Sequence, residues 1–173
     1  MSEKPSKTGV RFFDWLFDTD GQPALYVLKM WPVTTIPSLL IIIGCYYLAG
    51  LLGFQEFFHL RHSKASWSPA VRFLESVIIS PAIETLLMIP IFGLLKGFTN
   101  HKLRLVFFSA LIWASFHSLF ALIWGLGAFW GFVVLSSAFL AWSEKSPARA
   151  YWVTFAIHAL NNLTAFVISA LTK

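Results

Sequence analysis

Residues 33–54, "VTTIPSLLIIIGCYYLAGLLGF", carry no charged side chain, and this run restricts the fold more than any other feature of the chain. The hydrocarbon core of a bilayer is about 30 Å thick and takes roughly 20 apolar residues in a helix. Within lipid every backbone N–H and C=O must find its partner inside the protein, so such a run spans as a helix. Comparable stretches recur at about 70–95, 104–124 and 150–171, with a shorter one at about 128–142. Across the chain 57% of residues are hydrophobic and 12% charged, which excludes an ordinary soluble domain. The expected fold is all-α, a polytopic membrane helical bundle of about five transmembrane helices plus an N-terminal interfacial segment.

The chain divides at about residue 32. In residues 1–32, Val10, Phe13 and Phe17 fall at helical spacing beside Arg11, Asp14 and Asp18. That pattern predicts an amphipathic segment lying flat at the interface, the alternative being a partly disordered tail. Residues 33–173 form the transmembrane domain. Trp31 and Pro32 border the first span as an aromatic anchor and a helix-start residue. Acidic and basic residues precede that span without a small-residue cleavage site, so it is expected to be retained. "QEFFHLRHSKASWSP" (55–69) reads as a loop. "KGFTNHKLR" links spans two and three. "WGLGAFWG" (124–131) predicts a tight turn between spans three and four, leaving span four short. Gly127 and Gly131 form a GxxxG pair suited to close helix approach.

With five crossings, the N-terminal segment and the loops near residues 100 and 146 share one side and hold most of the lysine and arginine. The positive-inside bias then places the N-terminus in the cytoplasm. The net charge of +5 reads as membrane orientation and contact with anionic lipid, not as a nucleic-acid surface. The single cysteine, Cys45, excludes an internal disulfide and a cysteine-rich metal site.

Against this apolar background three ionisable side chains stand out: Glu84 in span two, between Pro81 and Pro90, His117 in span three and His158 in span five. Each costs roughly 2.5–3.5 kcal/mol on insertion scales if charged, so such residues face a bundle interior or a wet cavity. Helical spacing gives each one polar or small neighbours: Ser76, Ser80 and Glu84; Ser109, Trp113 and His117; Thr154, His158 and Asn162. Three stripes facing one another would make one hydrated pocket. A carboxylate, two imidazoles and an amide are equipment for hydrolysis, a base to activate water and donors to hold the developing oxyanion. The same Glu84, His117 and His158 would also suit a divalent metal such as zinc, and composition leaves metal-assisted and metal-free chemistry both open. Intramembrane Glu and His also mark ion pathways, but no inverted repeat supports a transporter. Asn161, Glu75, His59, His62 and His101 are expected to be bystanders, the last three in solvated loops.

Over about residues 70–171 these blocks resemble the CPBP intramembrane proteases, which include type II CAAX prenyl endopeptidases and bacterial relatives linked to bacteriocin immunity. The family pattern is EExxxR, then FxxxH, then HxxxN. "SPAIETLLMIP" supplies Glu84, "WASFH" supplies His117 with Trp113 in place of phenylalanine, and "HALNN" supplies His158 and Asn162. Thr85 and Ile89 stand where the family has its second glutamate and its arginine. The resemblance implies a multi-pass protein of a bacterial or archaeal cell membrane that cuts a peptide or lipidated polypeptide near the bilayer. In it Glu84 is the general base, His117 helps hold the water or a metal, and His158 with Asn162 orients or stabilises the oxyanion. If the missing pair is indispensable, it implies a noncatalytic protein on the same fold.

Overall fold

A computed structural model describes residues 8–54 and 67–172, which form helices and no strands. Their order is α1 (Arg11–Leu16), α2 (Pro23–Leu52), α3 (Pro69–Phe73), a π-helical segment (Leu74–Ile79), α4 (Ser80–Lys96), α5 (Lys102–Ser118), α6 (Leu122–Ser143) and α7 (Pro147–Leu171). Four helical stretches are long and apolar enough to cross a membrane: Pro23–Leu52, Pro69–Lys96, Leu122–Ser143 and Pro147–Leu171. The expected third span is α5, a helix of 17 residues that packs most extensively on α6. The short links 97–101, 119–121 and 144–146 make α4, α5, α6 and α7 successive antiparallel neighbours.

The bundle is built around α6. Two-thirds of its apolar window is buried, against 11% of that of α2, and a helix apolar on all sides belongs at the centre. Trp142, Leu135 and Val134 are among its fully buried side chains. The two glycines spaced for close approach do serve that purpose. A Cβ on Gly127 would come within 2.6 Å of Ile42 of α2, and Ser38 Oγ donates to the Gly127 carbonyl at 3.0 Å.

Two sequence expectations about boundaries are corrected. α2 starts at Pro23, not near Val33, so Pro32 and Pro37 lie inside it. Proline removes the N–H that would bond the carbonyl four residues back, and at Pro37 this orphans Val33. Trp130 of α6 supplies the replacement, its Nε1 donating to the Val33 carbonyl at 2.8 Å, and the helix continues through the proline. "WGLGAFWG" is not a turn but the first part of α6. The chain reverses at 119–121, and α6 is therefore a full 22-residue helix. Gly125 lies against the end of α5, where a Cβ would sit 2.6 Å from the Ala114 carbonyl oxygen.

The segment before α2 is docked on the bundle. Leu16 and Phe17 are buried, Phe12 stacks on Trp130, and Tyr26 donates from its hydroxyl to the Leu16 carbonyl at 2.6 Å. Lys102 at the start of α5 pairs with Glu144 just beyond α6, closing that end. His59 and His62 lie outside the described residues, while His101 is exposed at the N-cap of α5.

Candidate active site

Glu84 lies one turn into α4, His117 at the penultimate position of α5 and His158 in the middle of α7. The bundle brings the three together. Glu84 Oε2 stands 3.9 Å from His117 Nε2 and 3.8 Å from His158 Nε2. Both distances exceed the limit of a direct hydrogen bond, about 3.2 Å, and both are within the reach of one bridging molecule. The side chain of His158 is 5% exposed, whereas those of Glu84 and His117 are partly open.

The orientation of His117 follows from its own helix. Nδ1 lies 2.8 Å from the Trp113 carbonyl, one turn earlier. A carbonyl only accepts, so Nδ1 carries the proton and Nε2 of the neutral ring is left as an acceptor facing Glu84.

Phe132 of α6, which sequence reasoning missed, forms the floor between the imidazoles. Its ring centroid is 5.4 Å from that of His117 and 5.5 Å from that of His158. Trp113 stacks beneath it at 4.8 Å, nearly parallel. One phenylalanine among 18 gives no signal of this role in the sequence; its position opposite Trp113 is a product of how α5 packs on α6.

Above this floor is a cavity of about 140 Å³, lined by Ser38 and Ile42 of α2, by Trp124, Gly127, Ala128, Gly131, Phe132 and Leu135 of α6, and by His117, His158, Asn161 and Asn162. It is far larger than the about 10–15 Å³ that a single water needs. Both amides line it, but their hydrogen bonds are structural. Asn162 donates from Nδ2 to the Ser76 carbonyl at 2.8 Å. Asn161 accepts from Thr35 Oγ1 at 3.0 Å, which ties α7 to α2.

The remaining members of the expected stripes face elsewhere. Ser80 at the start of α4 donates to Glu75 of the π-helical segment at 3.0 Å, and Ser109 meets Ser136 of α6. Thr85 is fully buried and Ile89 is 49% exposed on the outer side of α4.

The three ionisable groups do not fit a metal in this arrangement. Zinc holds nitrogen and oxygen donors at about 2.0–2.2 Å, which in a tetrahedral shell brings them to about 3.4 Å of one another, closer than Glu84 Oε2 stands to either imidazole. Among the described residues no group of three His, Cys, Asp or Glu side chains has the spacing to hold a metal ion. No family model, curated protein or solved structure matches the chain.

Proposed function

We propose that this chain is an intramembrane endopeptidase that hydrolyses a peptide or lipidated polypeptide with water activated by Glu84. The observation that carries the reading is the convergence of one carboxylate oxygen on two imidazole nitrogens, 3.9 and 3.8 Å away, where both imidazoles line a cavity of about 140 Å³. The carboxylate and His117 Nε2 are both acceptors. The group that satisfies both at once is a molecule with two O–H donors, which is water.

In the proposed reaction Glu84 takes a proton from that water as its oxygen attacks the scissile carbonyl carbon. His158 faces the same point and stabilises the oxyanion as a donor. Glu84 then returns the proton to the amide nitrogen as the C–N bond breaks, leaving a carboxylic acid and an amine. The order of the Glu84, His117, His158 and Asn162 blocks, which resembles that of the CPBP proteases, supports the same reading. Reconstituted protein is expected to cleave membrane-associated polypeptides. Glu84→Gln keeps the shape and removes the base, and should slow cleavage by between about a hundredfold and ten-thousandfold. Cleavage at the wild-type rate by that variant would eliminate Glu84 as the base.

Thr85 favours a second reading. It is fully buried and uncharged where the resemblance has a second carboxylate, as expected of a noncatalytic CPBP-like membrane protein acting as an immunity factor, scaffold or binding partner. That reading requires biological activity to survive both Glu84→Gln and His117→Ala in folded protein, and its loss in both variants would reject it.

A further inference from the structure

The helix that carries Glu84 is interrupted just before it. Between Leu74 and Ile79 the backbone is π-helical, and the Ser80 N–H that closes it donates to the Glu75 carbonyl. In a regular α-helix that N–H would have bonded the Ser76 carbonyl. The next residue is Pro81, which has no N–H to offer. The Ser76 carbonyl is thereby denied its donor from both of the residues that could reach it along the helix. A bare carbonyl among packed membrane helices costs free energy, and such groups are usually bonded by a side chain of a neighbouring helix.

Asn162 supplies that bond. Its Nδ2 lies 2.8 Å from the Ser76 oxygen, and it sits one turn beyond His158, on the same face of α7. α7 thus holds the interrupted helix at two points: His158 faces Glu84 on one side of Pro81, and Asn162 grips Ser76 on the other. From this we infer that Asn162 is a positioning residue, whose amide keeps the π turn open and sets the rotation of α4 that presents Glu84 to His117 and His158. Pro81 and the Ser76 carbonyl are the other two parts of the device. The statement that this rotation serves catalysis rests on the proposed hydrolase function; the clamp itself does not.

The clamp has a specific second-site signature. Pro81→Ala restores an N–H next to Ser80, within reach of the carbonyls that the π turn leaves open, and should make Asn162 largely redundant. Amide hydrogen exchange of peptides covering 74–84 reads the effect without any substrate. Asn162→Ala, and the near-isosteric Asn162→Leu, should accelerate exchange there about tenfold, equivalent to about 1.4 kcal/mol, while α5 and α6 remain unchanged. In the Pro81→Ala background the same substitution should accelerate exchange by less than about twofold. If Asn162→Ala proves too unstable to purify, recovery of folded protein by the Pro81→Ala, Asn162→Ala pair supports the clamp, and its continued failure to fold counts against it.

Unchanged exchange over 74–84 in the single variants overturns the inference. So do effects of Pro81→Ala and Asn162→Ala that simply add, because independent sites are additive and linked ones are not. Measured cleavage separates this outcome from failure of the hydrolase reading. An exchange response in a protein whose wild type cleaves nothing leaves the clamp standing and removes the proposed catalysis. Loss of cleavage in Asn162→Leu with exchange unchanged returns Asn162 to direct contact with the oxyanion.

Discussion

Thr85 is the neighbour of Glu84 in the chain, and its hydroxyl is fully buried without a hydrogen-bond partner among the described residues. Thr154, one turn before His158, is in the same condition. A buried donor left unbonded costs about 1–3 kcal/mol, and removing the polar atom while keeping the shape relieves that cost. Thr85→Val is therefore expected to leave thermal stability unchanged or raise it by about 1 kcal/mol, as measured by the unfolding midpoint in detergent. A loss of that size would show that the hydroxyl is bonded in the native protein. Thr85→Glu, which recreates the carboxylate pair of the resembled motif, should by contrast destabilise, since it places a second charge in a closed position beside Glu84. Residues of this kind show which part of the site was legible. Glu84, His117 and His158 could be read from the sequence because an ionisable group in an apolar helix is costly. Phe132 could not, being one aromatic side chain among many. The acceptor at Ser76 could not either, because the group that matters is a backbone carbonyl whose only trace in the sequence is Pro81.

The elements show where turn signals mislead. Glycine in a soluble chain marks a turn, and the three glycines of 124–131 give that segment the same signature. Here the reversal is made by Leu119, Phe120 and Ala121, which carry no such signal, and the glycines serve helix contact. Gly125 and Gly93 separate these roles experimentally. A methyl group at Gly125 would meet the Ala114 carbonyl oxygen at 2.6 Å, a backbone atom that cannot swing aside. Gly125→Ala is expected to cost about 1–3 kcal/mol by overpacking the α5–α6 hairpin. At Gly93, inside α4, nothing lies within 4 Å of the added carbon, and Gly93→Ala should stabilise by up to about 1 kcal/mol through helix propensity. Equal effects at the two positions, read from paired unfolding curves, would mean that close approach does not determine the hairpin. Pro32 reads as the start of α2 because proline favours the first turn of a helix, yet the helix runs through both Pro32 and Pro37. At Pro37 the Trp130 indole takes over the Val33 carbonyl, a contact 97 residues away in sequence that no local pattern announces.

At the scale of the whole molecule, the alternation of helices fixes the end of the bundle to which the cavity belongs. Lys96, Lys102, Lys145 and Arg149 cluster where α4 and α6 finish and where α5 and α7 begin. Glu84 precedes the Lys96 terminus of α4 by about 18 Å, at 1.5 Å per residue. His117 is at the opposite end of α5, next to the 119–121 turn, and Trp124 lines the cavity within the first turn of α6. The cavity therefore lies toward the end away from the basic cluster, which the positive-inside bias predicts to face the cytoplasm. Thiol labelling in sealed vesicles tests the arrangement, starting from Cys45→Ser to remove the single native cysteine. A membrane-impermeant reagent on the cytoplasmic face should label Lys145→Cys and spare Trp124→Cys and Leu119→Cys, and the reagent on the other face should do the reverse. All three positions reacting from one face would contradict the alternation of α5, α6 and α7 across the membrane. Reversed labelling of all three would preserve the bundle but move the mouth of the cavity, and with it the compartment from which water and the substrate of the proposed hydrolase would arrive, to the cytoplasmic side.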